Sequence, residues 1–217
     1  MKRRSLLAVL VWGPASAGAH GHVSGIRLRS RVFVPYTNGD DYAYNMGASE
    51  QMAYDPVEQY VYAVSEQGYI NVVDMSDPSH LRVVPELAPD LSTLLPLTDI
   101  ELCPKQGLVF AAGEDGGGAR RGRVYKLTTV KRGRDSKMKL LAEAEVGFLP
   151  DCVMPNKECT MLAVANEAEG VYDAAGLFDE EVILITRMIY MMMMIRPDGY
   201  SISHSLPTGL AQRDQRR

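Results

Sequence analysis

Val57-Glu58-Gln59-Tyr60-Val61-Tyr62-Ala63-Val64, then Gln67-Gly68, then Tyr69-Ile70-Asn71-Val72-Val73-Asp74-Met75 is the stretch on which the fold turns. Two runs rich in β-branched and aromatic residues flank a glycine-containing turn, which predicts two antiparallel strands. The same order returns twice. Pro104-Lys105-Gln106-Gly107 predicts a turn, Leu108 to Ala112 a strand, Glu114 to Gly122 a Gly-rich connection and Arg123 to Thr129 the return strand. Pro155-Asn156-Lys157 opens a third unit, with a strand from Met161 to Ala165, a connection from Asn166 to Phe178 and a return from Glu181 to Ile185. Starts near Asp55, Pro104 and Asn156 give a period of about 50 residues, within the range of propeller blades. Such a unit hides its apolar face only by stacking on a neighbour. No long 3.6-residue pattern interrupts the strands, and Pro89 to Leu97 has room for a helical turn or two. The expected fold class is all-β, a β-propeller of WD40/YVTN-like blades. Closure takes about four to eight blades, and this length supplies about three to four, so an incomplete propeller is expected.

The 217 residues fit one domain. With 46% hydrophobic and 23% charged residues the chain is neither disordered nor a polytopic membrane protein, and a net charge of -4 argues against a general nucleic-acid binder. Lys2, Arg3 and Arg4 precede the apolar run Leu6 to Trp12 and the small residues Ala15, Ser16 and Ala17, the order of a secretory leader. Residues 1–17 are therefore expected to be a signal peptide, cut after Ala17 or else after Ala19, with the propeller over 26–185 and an unrecognised tail over 186–217. Secretion permits disulfides. Cys152 and Cys159 are the expected pair, because a hairpin or tight loop brings two Cα atoms within the roughly 4.4–6.8 Å a bridge needs, which leaves Cys103 free or bonded outside the chain. The apolar stretch Val182 to Ile195, with Met191 to Met194, falls short of the roughly 20 residues of a spanning helix. No transmembrane span and a secreted or cell-surface location are expected.

Further stretches carry a family likeness. Gly47 to Asp55, Tyr62 to Tyr69 and Val72 to Pro78 resemble the first blade of the choice-of-anchor I domain family, most closely the mesenchyme-specific cell-surface glycoproteins of biomineralising invertebrates. Leu149-Pro150-Asp151 and Leu162 to Gly170 resemble that family's Pro-Asp and Val-Ala-Asn-Glu-Gly-Glu signatures. The resemblance covers roughly residues 26 to 185. It implies a secreted or surface-attached propeller linked to skeleton or shell formation, with no agreed catalytic activity. Asp179-Glu180-Glu181 departs from the family's Asp-Pro-Glu-Gly, and Asn38, Asn45, Asn71, Asn156 and Asn166 all lack the third residue of a glycosylation sequon.

Two charged segments are candidate sites. Asn166, Glu167, Glu169, Asp173, Asp179, Glu180 and Glu181 place six carboxylates within 16 positions, and Ca2+ takes six to eight hard oxygen ligands on flexible backbone. Asn166, Glu167, Glu169, Asp173 and Asp179 are the metal candidates, with Ca2+ as the cofactor; the plain alternative is a solvated acidic loop. Arg120, Arg121, Arg123, Lys131, Arg132 and Arg134 are the anion-binding candidates, for acidic glycans, matrix proteins or mineral anions, against the alternative of a solubilising hairpin. Strand alternation puts Arg121 and Arg123 on one side. His20 and His22 sit beside the expected cleavage point, where a weak Cu2+ or Zn2+ site competes with a plain mobile terminus.

Nucleophilic catalysis has no sequence support: Gly-x-Ser-x-Gly and Cys-x-x-Cys are absent, and Gly116-Gly117-Gly118 lacks the Lys-Ser/Thr of a phosphate loop. The expected function is binding of extracellular matrix or mineral components, with Ca2+ involved. A metal-dependent phosphate or ester hydrolase, needing ligands convergent from several blades, and a non-autonomous fragment with open sheet edges are the alternatives.

Overall fold

The computed structural model describes residues 6–12, 26–37, 42–43, 46–89, 94–116, 119–134, 137–167, 191–196 and 199–202, the backbone alone for 6–12, 26, 191–196 and 199–202. The described chain is all-β apart from one 3-10 turn at Pro85–Leu87. That turn lies upstream of the 89–97 stretch expected to hold it, where β7 instead starts at Leu97.

Local polar chemistry sets where strands begin. Strand β3 (Met52–Asp55) ends on a carboxylate whose Oδ1 accepts the N–H groups of Val57 and Glu58 at 2.9 and 3.1 Å. This Asx turn delays strand β4 (Tyr60–Ser65), which was expected from Val57. The later repeats turn at the same place. Gln59, Gly107 and Cys159 all take left-handed backbone, with φ of 58°, 66° and 56°, just before the second strand of their units. In the third unit Asn156 Oδ1 accepts from the N–H groups of Thr160 and Met161.

Three four-stranded antiparallel meanders result. The first holds β3, β4, β5 (Tyr69–Asp74) and β6 (Arg82–Val83); the second β7 (Leu97–Cys103), β8 (Leu108–Asp115), β9 (Arg120–Thr128) and β10 (Leu140–Phe148). The third holds β11 (Pro150–Pro155), β12 (Met161–Asn166), β13 (Met191–Arg196) and β14 (Gly199–Ile202). The strand beside β12 is thus drawn from the tail, while the return expected over 181–185 lies outside the described residues. Strand β1 (Leu6–Trp12), the apolar run of the expected leader, pairs with β2 (Ile26–Phe33) in a two-stranded sheet.

The sheets stack in chain order, β7 lying on β3 and β4, and β11 on β7 and β8. Alternation gives each second strand two apolar faces, so every meander is buried on both sides where a neighbour exists. Tyr62, Ile70 and Val72 of the first sheet meet Ile100, Val109, Ala111, Tyr125 and Leu127 of the second. Phe110, Ala112 and Val124 on the other side of the second sheet meet Val153, Leu162 and Val164 of the third. Val34 and Ala48 cover Val61 and Val73 on the front of the first sheet. Gly122 lets the third sheet approach, since a Cβ there would stand 2.4 Å from Pro150 Cδ and 2.5 Å from the Gly113 carbonyl oxygen. Among the described residues the sheets do not close a ring.

Candidate functional site

Antiparallel connectivity gives the stack two ends of different character. The turns at 56–59, 104–107 and 156–159 share one end with the β9–β10 connection. There Arg132, from that connection, reaches back to the first sheet. Its guanidinium donates to both carboxylate oxygens of Asp74 at 3.2 and 2.8 Å, to the carbonyl of Glu58 at 3.0 Å and to that of Gln59 at 3.3 Å. It also lies over the Tyr60 ring, 4.4 Å from the centroid. The Glu58 carboxylate accepts from Arg132 N–H and from Lys131 Nζ. These donors hold Glu58 below the usual carboxylate range, and the Arg132 guanidinium brings Asp74 down to about 2.

The same end carries the disulfide, which corrects the expected pairing. Cys159 bonds Cys103 across 6.2 Å between Cα atoms, and Cys152 is the free thiol. Cys152 sits three residues before the end of β11, about 10 Å along the strand from the turn that holds Cys159, and pairs across the ladder with Ala165. Cys103, at the end of β7, lies against that turn because β11 packs on β7. Burial and the Asp99 carboxylate push the Cys152 thiol up, away from the reactive thiolate.

The basic residues are distributed, not pooled. Arg120 pairs with Asp115 at 2.6 Å, Arg123 with Glu143, and Arg121 with Glu145 at 3.8 Å while lying over Phe148. Arg121 and Arg123 do share a side of β9, facing the acids of β10. Lys131 and Arg132 are engaged in the clamp, and Arg134 is exposed. An anion at the hairpin competes with carboxylates already in place.

The opposite end is acidic. Strand starts of β3, β7 and β11 meet the ends of β4 and β8 around a cavity of about 310 Å3 lined by Glu50, Gln51, Glu66, Pro96, Leu97, Thr98, Glu114, Leu149 and Asp151. Four carboxyl groups from three sheets therefore face one space, with no basic residue in the lining. A hydrogen bond that the protonated Glu50 carboxyl donates to the neighbouring Glu66 carboxylate, burial, and the charges of Glu66 and Asp151 raise Glu50 above the ordinary carboxylate range; burial and Glu66 raise Glu114. The walls are fixed by cross-sheet bonds: Thr98 Oγ1 donates to the Pro150 carbonyl at 2.5 Å, and Val153 N–H to Asp99 Oδ2 at 2.7 Å.

Of the expected metal ligands, Asn166 ends β12 and Glu167 follows it, its N–H bonding the carbonyl of Leu149 on the cavity wall. Glu169, Asp173 and Asp179 lie outside the described residues, as do His20 and His22. Among the described residues no three His, Cys, Asp or Glu side chains stand close enough to share one ion. Glu66 and Glu114 were missed because the sequence was read for charge density within one loop. Aligning the repeats finds them: Ser65-Glu66, Gly113-Glu114 and Asn166-Glu167 hold equivalent places at the closing end of a second strand.

The choice-of-anchor I domain matches residues 50–182, more than half of the chain. No curated protein sequence matches it. Among solved structures it is similar to a protein of Bacteroides fragilis described as a 6-phosphogluconolactonase (17% identity, 66% of this chain, 41% of that one, TM-score 0.47). A Bacteroides uniformis protein of the same description gives 12% identity over 65% of this chain and 42% of that one, TM-score 0.47. A nidogen/laminin complex gives 14% over 67% and 46%, TM-score 0.42. The chain spans less than half the length of each of these three. Among the described residues no helix is long and apolar enough to cross a membrane.

Proposed function

The chain belongs to the choice-of-anchor I domain family, and from that premise we propose that it forms part of an extracellular β-propeller that binds matrix or mineral components through the acidic end of its sheets. The carrying observation is the gathering of Glu50, Glu66, Glu114 and Asp151, from three sheets, around one cavity. The negative charges that raise Glu50 and Glu114 are relieved by a cation, so the cavity has a built-in preference for positive charge. Asn166 and Glu167 leave β12 at the same end, and Asn166, Glu167, Glu169, Asp173 and Asp179 supply the hard oxygen ligands of the proposed Ca2+ site. A Ca2+-bearing mineral or matrix surface, as in biomineralising tissue, presents the matching charge. The Cys103–Cys159 bridge supports an oxidising, extracellular setting.

Thermal unfolding with Ca2+, against NaCl of equal ionic strength, tests the proposal. At free Ca2+ ten times the dissociation constant the folded state gains about 1.4 kcal/mol. Glu66→Gln and Asp151→Asn should each reduce that gain. A midpoint and a hydrogen-exchange pattern both unmoved by millimolar Ca2+ overturn the proposal.

A further inference from the structure

The internal repeat lets the two sheet-to-sheet contacts be compared position by position. Asp55 stands opposite Tyr60 and Cys103 opposite Leu108, so both hold the last place of a first strand, beside its turn. Cys103 uses that place to reach the turn of the following sheet, where it bonds Cys159. Asp55 faces the second sheet in the same way, on the side of the ladder that Tyr60 and Tyr62 share. It meets no thiol there. Asp55 is 0% exposed; its Oδ1 accepts from Val57 and Glu58, and its Oδ2 has no hydrogen-bond partner among the described residues. Thr129, 4% exposed, continues the β9 ladder by donating its N–H to the Gly107 carbonyl at 2.9 Å, which turns its side chain, like that of Leu127, toward the first sheet. Its Oγ1 also lacks a partner, and it lies 3.4 Å from the point that a Cβ on Gly107 would occupy, beside the turn that Asp55 faces. Tyr62 reaches across from the first sheet to accept the Val130 N–H at 2.9 Å, which brings its hydroxyl to the residue after Thr129; its own proton has no acceptor among the described residues. Burial and the Asp55 charge push this phenol up, so the proton stays on the oxygen and is free to be donated.

We propose that the turn end of the contact between the first and second sheets is a binding site for one buried water molecule, which accepts from the Tyr62 and Thr129 hydroxyls and donates to Asp55 Oδ2. The count of donors and acceptors selects the ligand. Two hydroxyl protons and one carboxylate oxygen call for a group that accepts and donates at once, which water does and a metal ion does not. A cation would need further carboxylate or carbonyl oxygens, and the charge already next to the site is positive: Lys131 Nζ stands 3.6 Å from the same point on Gly107, held by Glu58 at 3.2 Å. Gly107 leaves the space that a side chain would fill. The three bonds offered match the roughly three that a buried water makes, and they satisfy groups whose burial without partners would be destabilising. Equivalent strand ends therefore fasten their sheets by different means, Cys103 through a covalent bridge and Asp55 through solvent.

A crystal structure of the full chain that resolves ordered solvent tests this directly. One water oxygen is expected within about 3.2 Å of Asp55 Oδ2 and of both hydroxyl oxygens. A Tyr62 or Thr129 hydroxyl bonded straight to Asp55, a Lys131 side chain swung onto Asp55, a metal ion at this position, or a dry corner each overturns the proposal. Unfolding equilibria give a second reading. Asp55→Asn keeps the Oδ1 acceptor of the turn and puts a donor in place of Oδ2, so the water loses its acceptor. Thr129→Val, which removes one hydroxyl and keeps the shape, should then shift the equilibrium by a factor about threefold smaller in the Asp55→Asn background than in the wild type. Effects that simply multiply overturn the proposal as well. The Ca2+ response of the acidic cavity, at the other end of the sheets, is read separately and fails separately.

Discussion

The joint between the first and second sheets and the joint between the second and third occupy equivalent places in the repeat, yet they are fastened by different chemistry. The first is polar: Arg132 grips Asp74, Glu58 and Gln59, Tyr62 accepts a hydrogen bond from Val130 N–H at 2.9 Å, and Tyr125 accepts one from Leu95 N–H at 3.1 Å. The second is covalent, through Cys103 and Cys159, with two hydrogen bonds at the far end of the strands. Both main fastenings sit at the turn end and leave the acidic end to face outward. The difference teaches that the repeat fixes where a fastening is needed, while the residue in the turn decides its chemistry. Glu58-Gln59 calls for a cation and Cys159 for a thiol. One joint consequently answers to pH and salt, the other to redox conditions.

Breaking the covalent joint should have the largest effect. The bridge closes a loop over a sequence separation of 56, for which chain entropy gives about 4 kcal/mol. Cys103→Ser should lose stability of that order in urea titrations, and dithiothreitol should reproduce the loss in the wild type while leaving the variant unchanged. A reductant-insensitive wild type would remove the bridge. Arg132→Ala comes next, at about 2 kcal/mol, because it removes the forked contact and leaves Asp74 with the longer contact to the exposed Arg82, at 3.8 Å. Arg132→Lys should recover only part of this, since a lysine cannot make the forked contact or the ring stacking. Equal stability of the alanine and wild-type proteins would show the clamp to be idle.

Acid sharpens the contrast. Asp74 is depressed from its ordinary 3.8 to about 2, so its contribution is complete above the unfolded-state value and is lost as pH falls from about 4 toward 2. The shift corresponds to about 2 kcal/mol. Hydrogen exchange at pH 2.5 should therefore open the first joint before the disulfide-held one; simultaneous opening would contradict the division. The smallest effect belongs to the acidic end. Glu50 is raised, so its contribution is present below its unfolded value and lost as pH climbs through the folded one. Glu66→Gln should raise the melting midpoint at pH 7 by no more than about 1 kcal/mol equivalent, and not at pH 4. A destabilised variant at pH 7 would show that Glu66 supports the fold through some other contact.

The strands were legible because burial on both faces demands the runs Tyr60–Ser65 and Leu108–Asp115, and the period of the turns gave the number of units. The disulfide was not, because proximity along the chain favoured Cys152, whereas the ladder carries Cys152 away from the turn and brings Cys103 of another sheet beside it. The basic stretch looked like a free patch because Glu143 and Glu145 on β10, and Glu58 and Asp74 more than 55 residues upstream, reveal themselves as partners only once the sheets are paired.

By itself, then, the amino-acid order determined an all-β chain of repeated meanders, since alternation and turn chemistry act over a few neighbouring residues. Only the tertiary structure decided which thiols bond, which arginines are neutralised and which four carboxyl groups face one cavity. Those outcomes depend on distances between separate sheets, and nothing local in the chain fixes them.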